Sequence, residues 1–177
     1  SGVTCPRLPV ALESGKPSVY SWTGCDGRQF FERLADRWPQ IWPEPDSPGK
    51  DLSARVLVKI NLNTADPFPA ATDAGLLREL LLFLRQQGYL QLRVGDCSSI
   101  SAVPTRNVAD KTGILAAVDG LAEFVAFDEQ PWLRLESGLP HLPAVSVPQA
   151  VGEADFLIHL ANMKTHSLAD FSFGLKL

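Results

Sequence analysis

A lysine and a histidine two residues apart, Lys164 and His166, follow the apolar run "FLIHLA" near the end of the chain. Alternate residues of an extended segment point to the same side, so the two side chains can share a face. A lysine in such a place supplies a cationic donor for phosphate or carboxylate, or a nucleophilic amine where its pKa is depressed. The histidine can serve as acid, base or metal ligand near neutral pH. Three other apolar runs empty into polar residues in the same way. The first delivers Lys59, Asn61 and Asn63, the second Asp96, Cys97, Ser98 and Ser99, and the third Asp128; Asn162 and Thr165 accompany Lys164. In an open α/β sheet, ligands bind beyond the carboxyl ends of the strands, so these residues are expected to meet at one edge. There Lys59, Lys164 and Thr165 would hold an anion and Asn61 and Ser98 would donate hydrogen bonds. Asp96 and His166 are the acid–base candidates.

Two of these residues have structural alternatives. Lys59 lies within an apolar run, where an unpaired ammonium is costly, and Asp96 on the next strand is its plausible partner. Otherwise the lysine sits near the strand end with its ammonium in water. His159, inside "FLIHLA", is expected to be a satisfied core histidine.

The elements that must position these groups are legible from about Arg55 onward. "RVLVKINL" is β-branched and nearly continuously apolar, as a strand buried on both faces should be. After the proline-containing loop "NTADPFPAA", Thr72 or Asp73 caps a helix whose Leu76, Leu77, Leu80, Leu81 and Leu84 form one face. Gly88 stands where a left-handed residue ends a helix, and "LQLRVGD" is the next strand. Arg55 to Asp96 thus reads as a βαβ unit, expected to be right-handed. "PTRNVADKTGILAAVDG" predicts a helix with a glycine inside it, and "LAEFVAFDE" a third strand. "PWLRLESGLPHLPAVSVPQAV" predicts an antiparallel excursion, and "EADFLIHLA" a return to a buried strand. The whole reads as a single α/β domain over 1–177, with a mainly parallel sheet flanked by helices and a short antiparallel excursion.

Residues 1–54 are the least regular part and are expected to cover the core. "PSVYSWT" could be a short strand, "DGRQFFERLADRW" has helical spacing through Phe30, Phe31, Leu34 and Trp38, and Pro39 with "WPEPDSPGKD" forms a connector. The last residues, "SLADFSFGLKL", carry Leu168, Phe171, Phe173 and Leu175, which need a surface to cover. The expectation is a fragment, or a domain incomplete at its C-terminus and finished by further chain or a partner.

Composition narrows the function classes. The 177 residues are 45% hydrophobic and 20% charged, an ordinary globular balance, and the net charge of -4 argues against a nucleic-acid surface. The greasiest stretch, "GLLRELLLFLRQQGY", is interrupted by Arg78, Glu79 and Arg85, so no membrane span is expected. The first residues lack the apolar core of a signal peptide, and the three cysteines have no CxxC spacing. Cytoplasm is the expected location. GxGxxG, GxxxxGK[ST] and GxSxG are all absent, which counts against Rossmann, Walker-type and standard α/β-hydrolase sites. "GDCSS" could present backbone N–H groups to an anion.

Three segments, "VLVKINLNTADPFPAATDAGLLRELLLFLRQQGY", "LRVGDCSS" and "EADFLIHLANMKTHSLADFSFGLKL", resemble the family known as domain of unknown function 362, over about residues 55–177. Lys59-Ile60-Asn61, Thr72-Asp73, Gly95-Asp96 and Lys164-Thr165-His166 carry the resemblance in order and rough spacing. The family has a lysine where this chain has Asn162, which weakens an anion site built on a lysine pair. It also usually continues past the final lysine, where this chain has Lys176-Leu177. The resemblance implies association with iron–sulfur ferredoxin modules, although this chain has no clustered cysteines to hold such a cluster. Three readings follow. The leading one is an α/β domain binding a small anionic ligand, with or without catalysis. The second is a redox-accessory or partner-docking domain linked to iron–sulfur proteins. The third is a metal-dependent enzyme using His166, Asp96 and Cys97, for which the lysine-and-histidine loop resembles that of nickel-cofactor racemases. The cofactor, substrate and reaction are not specified by the sequence.

Overall fold

The β-branched run at 55–62 forms the centre of a four-stranded sheet. The structure, a computed structural model, describes residues 8–10, 19–21, 24–38, 53–98, 103–166 and 170–172. The chain divides into two compact units, Ser1–Lys50 and Asp51–Leu177. In the first, β1 (Leu8–Val10) pairs antiparallel with β2 (Val19–Ser21). The helix expected from the phenylalanine spacing is α1 (Gly27–Ala35), with Asp26 as its cap accepting from Gln29 N at 2.8 Å. Phe31 and Trp38 are buried, and Phe30 meets Phe31 edge to face. The proline-rich connector lies outside the described residues.

The second unit carries the βαβ unit read from the sequence. Strand β3 (Arg55–Lys59) leads through α2 (Ala74–Gln86) to β4 (Gln91–Asp96), which pairs with β3 in parallel. Asp73, not Thr72, caps α2, its carboxylate accepting from Leu76 N at 2.7 Å. Thr72 instead turns inward and accepts from Asn61 N at 2.8 Å. Leu77, Leu81 and Leu84 are wholly buried, the predicted apolar face of α2. Gly88 takes a φ of 95°, the left-handed conformation its position required.

The helix expected over 104–120 is two helices, α3 (Thr105–Lys111) and α4 (Ile114–Val118). Gly113, at φ 77°, is the break: a left-handed residue cannot continue a right-handed helix. Strand β5 (Glu123–Ala126) joins the outer side of β4, again in parallel. The antiparallel excursion is the hairpin of β6 (Trp132–Leu139) with β7 (Leu142–Pro148), followed by the short α5 (Gln149–Glu153). Strand β8 (Phe156–His159) then returns to the far side of β3, parallel to it. The ribbon of β9 (Lys164–His166) with β10 (Asp170–Ser172) ends the described chain.

The sheet order is β5-β4-β3-β8, all parallel. Three consecutive strands advance in one direction and the fourth crosses back. The strand order therefore reverses between β3 and β8. Val56, Leu57 and Val58 are at most 1% exposed, so both faces of β3 are covered. On one face Leu57 packs with Val125, Phe127 and Ala150 of α5. Gly95 is required by close approach, since a Cβ there would lie 2.4 Å from the Phe127 ring and 2.8 Å from the Val125 carbonyl.

Two sequence expectations fail at β8. It is an edge strand and not a buried one: Leu157 is 42% exposed and His159 is exposed, not a core histidine. An apolar run specifies a strand but not its place in the sheet, and an edge position uncovers residues that a central one would bury.

Candidate functional site

Parallel strands carry their last residues to one edge, and the site candidates are built from there. The Lys59 ammonium leaves the end of β3 and donates to Asp96 Oδ1 at 2.7 Å and to the Ile60 carbonyl at 3.0 Å. Of the two alternatives for Lys59, the pair with Asp96 is the one formed. Its side chain keeps 19% exposure while that of Asp96 keeps 6%. The carboxylate also accepts from Leu62 N at 2.6 Å and Cys97 N at 2.7 Å. Asp96 thus ties together the carboxyl ends of β3 and β4. With three donors on two oxygens, one of them a cation, it is a charge-compensated acceptor.

Asn61, 2% exposed, exchanges backbone and side-chain bonds with Thr72: Asn61 N donates to Thr72 Oγ1, and Thr72 N donates to the Asn61 carbonyl at 2.9 Å. This folds the loop at 60–73 back on the end of β3. The segment after β8 reaches the same loop from the other side. Asn162 is buried, and its amide donates to the Pro69 carbonyl at 2.9 Å and the Ala71 carbonyl at 2.7 Å. Lys164 donates to the intervening Ala70 carbonyl and stands 3.5 Å from Asn61 Oδ1. Three consecutive carbonyls, 69 to 71, are therefore held by two side chains from one short segment.

Ser98 sits at the neighbouring end of β4. Its N–H bonds to Thr105 Oγ1 and its hydroxyl donates to the Val103 carbonyl, both at 2.8 Å. Thr105, wholly buried, also receives its backbone anchor from Asp128, whose carboxylate accepts from Thr105 N at 3.2 Å. Burial first, and then the Asp128 and Asp96 carboxylates, push the Cys97 thiol above its ordinary pKa, which disfavours the nucleophilic thiolate. Thr165 is exposed, paired across the ribbon with Phe171. The backbone of His166 lies in β9 opposite Asp170, and its side chain, like Ser99, lies outside the described residues.

The structure thus brings Lys59 to Asp96, and Lys164 to Asn61, at the carboxyl ends of β3, β4 and β8. Ser98 belongs to a separate hydroxyl cluster beside them. Sequence reasoning missed the parts played by Asn162, Thr72 and Thr105. Their signal was present as polar residues in otherwise apolar or small-residue surroundings, but only the fold shows what they hold. Among the described residues no group of three or more His, Cys, Asp or Glu is placed to hold a metal ion.

Two clefts lie near these ends and at the opposite edge. One of about 440 Å³ is walled by Pro67, Phe68, Asp73, Gly75 and Lys111. The other, of about 270 Å³, is at the amino ends of the strands and is lined by Arg55, Arg85 and Arg93. Its arginines are engaged: Arg55 with Asp155, Arg93 with Glu123 and Glu153, and Arg85 with the Leu121 carbonyl. No helix among the described residues is long and apolar enough to cross a membrane.

No curated protein and no solved structure matches this chain. The βαβ unit from its second residue onward, the Asp96 tie and the Asn162–Lys164 segment fall within residues 56–177, which match the family model described as Domain of unknown function (DUF362), and the chain belongs to that family.

Proposed function

We propose that this chain binds a small anionic molecule at the carboxyl ends of β3 and β8, where the strand order reverses. At such a reversal the connections leave in opposite directions and open a crevice, the usual ligand position in open α/β sheets. One observation carries the reading: the Lys164 ammonium reaches back across that reversal to within 3.5 Å of the Asn61 side chain. A lysine ammonium is a compact cationic donor of the kind that holds phosphate or carboxylate. Lys59 adds a second cationic group, held in place by Asp96. Asn61 and Thr165 supply further polar contacts, with Ser98 beside them. In a catalytic version Asp96 and His166 are the acid–base pair, and releasing the Asp96 carboxylate from Lys59 is the step that would free it to act. The spacing of the cysteines favours a cytoplasmic setting.

Calorimetric titration with phosphate and with small carboxylates tests this. Removing a charge-assisted contact costs about 1.5–3 kcal/mol, so Lys164→Ala should weaken binding by about 10- to 100-fold. Equal affinity in wild type and Lys164→Ala would exclude the assignment.

A second reading, a docking domain for an iron–sulfur protein, is favoured by the ribbon itself. Met163 is 76% exposed and Phe171 67%, and these apolar side chains flank the Lys164–Thr165 segment. Titration with a purified ferredoxin should then be abolished by Met163→Glu with Phe171→Glu, whereas the anion-binding reading expects no interaction with ferredoxin.

A further inference from the structure

The chain stays extended past the end of β3. Ile60 N donates to the Gly95 carbonyl at 3.2 Å and Leu62 N to the Asp96 carboxylate, both toward β4. Asn61 N and the Lys59 carbonyl turn the other way, to Thr72 Oγ1 and Leu160 N. Ile60 and Leu62 are wholly buried on one face, so Lys59 and Asn61 share the opposite one. Each keeps a donor that the fold does not use. The Lys59 ammonium gives two of its three N–H groups to Asp96 and the Ile60 carbonyl, and the third has no acceptor among the described residues. Asn61 is only 2% exposed, yet its side-chain NH2 makes no hydrogen bond among the described residues and is not closed off from solvent. The Lys164 ammonium near Oδ1 settles which end of the amide is which, because a cation faces the oxygen and not the NH2.

We infer that Asn61 selects an anion that also carries a neutral acceptor oxygen, a hydroxyl or a carbonyl, a few bonds from its charge. This rests on the anion-binding reading and extends it to the class of ligand. The charged group takes the Lys59 ammonium, because a charge-assisted bond is about twice as strong as a neutral one. The uncharged amide, on a backbone held by Thr72 at both its N–H and its carbonyl, is left for an uncharged oxygen. Alternate residues of an extended chain stand about 6.6 Å apart, and the Lys59 side chain bends forward to the Ile60 carbonyl, so one small molecule can span both. A ligand without the neutral oxygen would take water from the NH2 and leave it unpaired, which is where the discrimination arises.

Pairs of anions with equal charge test this by calorimetry on the full chain: propyl phosphate against glycerol phosphate, and butyrate against 3-hydroxybutyrate. In at least one pair the hydroxylated member should bind about 3- to 10-fold tighter, the worth of one neutral hydrogen bond. Asn61→Leu should bring that ratio to about one. Should the variant fail to fold, the wild-type side-chain amide resonance of Asn61 decides: the hydroxylated anion should shift it saturably, and the plain one should shift it less. Equal affinities within both pairs, a ratio that survives in Asn61→Leu, or an Asn61 side-chain resonance unmoved by the hydroxylated anion would overturn the selection and leave the anion-binding reading standing. If none of the four anions binds, both fall.

Discussion

Replacing Asp96 by asparagine keeps shape and removes charge, and the structure fixes what that should cost. The best asparagine orientation leaves its oxygen toward Lys59 and Cys97 N and turns its NH2 toward Leu62 N, which stands 2.6 Å from the present carboxylate oxygen. Two donors then face each other in a buried place, a cost of about 1–3 kcal/mol. The Lys59 ammonium loses its counter-charge as well. Breaking a fully buried pair costs about 3–5 kcal/mol. The figure is smaller here because the Lys59 side chain keeps 19% exposure and its bond to Ile60. A net loss of about 2–4 kcal/mol follows, which lowers the urea midpoint by about 1–2 M for a slope near 2 kcal/mol/M. Adding Lys59→Met removes the orphaned ammonium, so the double variant should be destabilised by less than the sum of the two singles. A midpoint unchanged in Asp96→Asn, or strict additivity in the cycle, would refute the view that this carboxylate ties β3 to β4.

Gly95→Ala places a Cβ against the Phe127 ring and the Val125 carbonyl, so unfolding should show a loss of about 1–3 kcal/mol. Leu81→Ala empties a wholly buried position on α2 and should cost about 2–5 kcal/mol in the same assay. The acid limb of stability should depend on Asp155. Its bonds from the Arg55 side chain and backbone N–H lower its pKa from 3.8 to about 2. A depressed carboxylate contributes stability that is complete above the unfolded value and lost as pH falls through the folded one. Asp155→Asn should therefore flatten the decline of stability between pH 3.8 and about 2, while an unchanged acid profile would contradict the assignment.

The βαβ unit was legible because its signals agree at every level. The β-branched run, the leucine face, the cap and Gly88 all specify the same elements. The Lys59–Asp96 pair was legible for an electrostatic reason, since an ammonium in an apolar strand needs a partner and the next strand end offers one. What the sequence hides is lateral order. Nothing in "FLIHLA" states that β8 lies at an edge beside β3, so His159 was expected inside and is outside. The same reversal brings residues 162–164 to the 69–71 carbonyls, more than 90 residues away in sequence, a contact that local pattern cannot encode. Gly113 gave a readable warning of the break between α3 and α4, but a glycine inside a helical pattern does not declare its φ.

Amide shift mapping of the full chain during a phosphate titration tests the central claim most directly, because two cationic regions compete. The account predicts the largest, saturable shifts at Asn61, Ala70, Lys164 and Thr165, around the reversal between β3 and β8. Shifts centred instead on Arg55, Arg85 and Arg93 at the amino ends of the strands, or no saturable shifts at all, would contradict it.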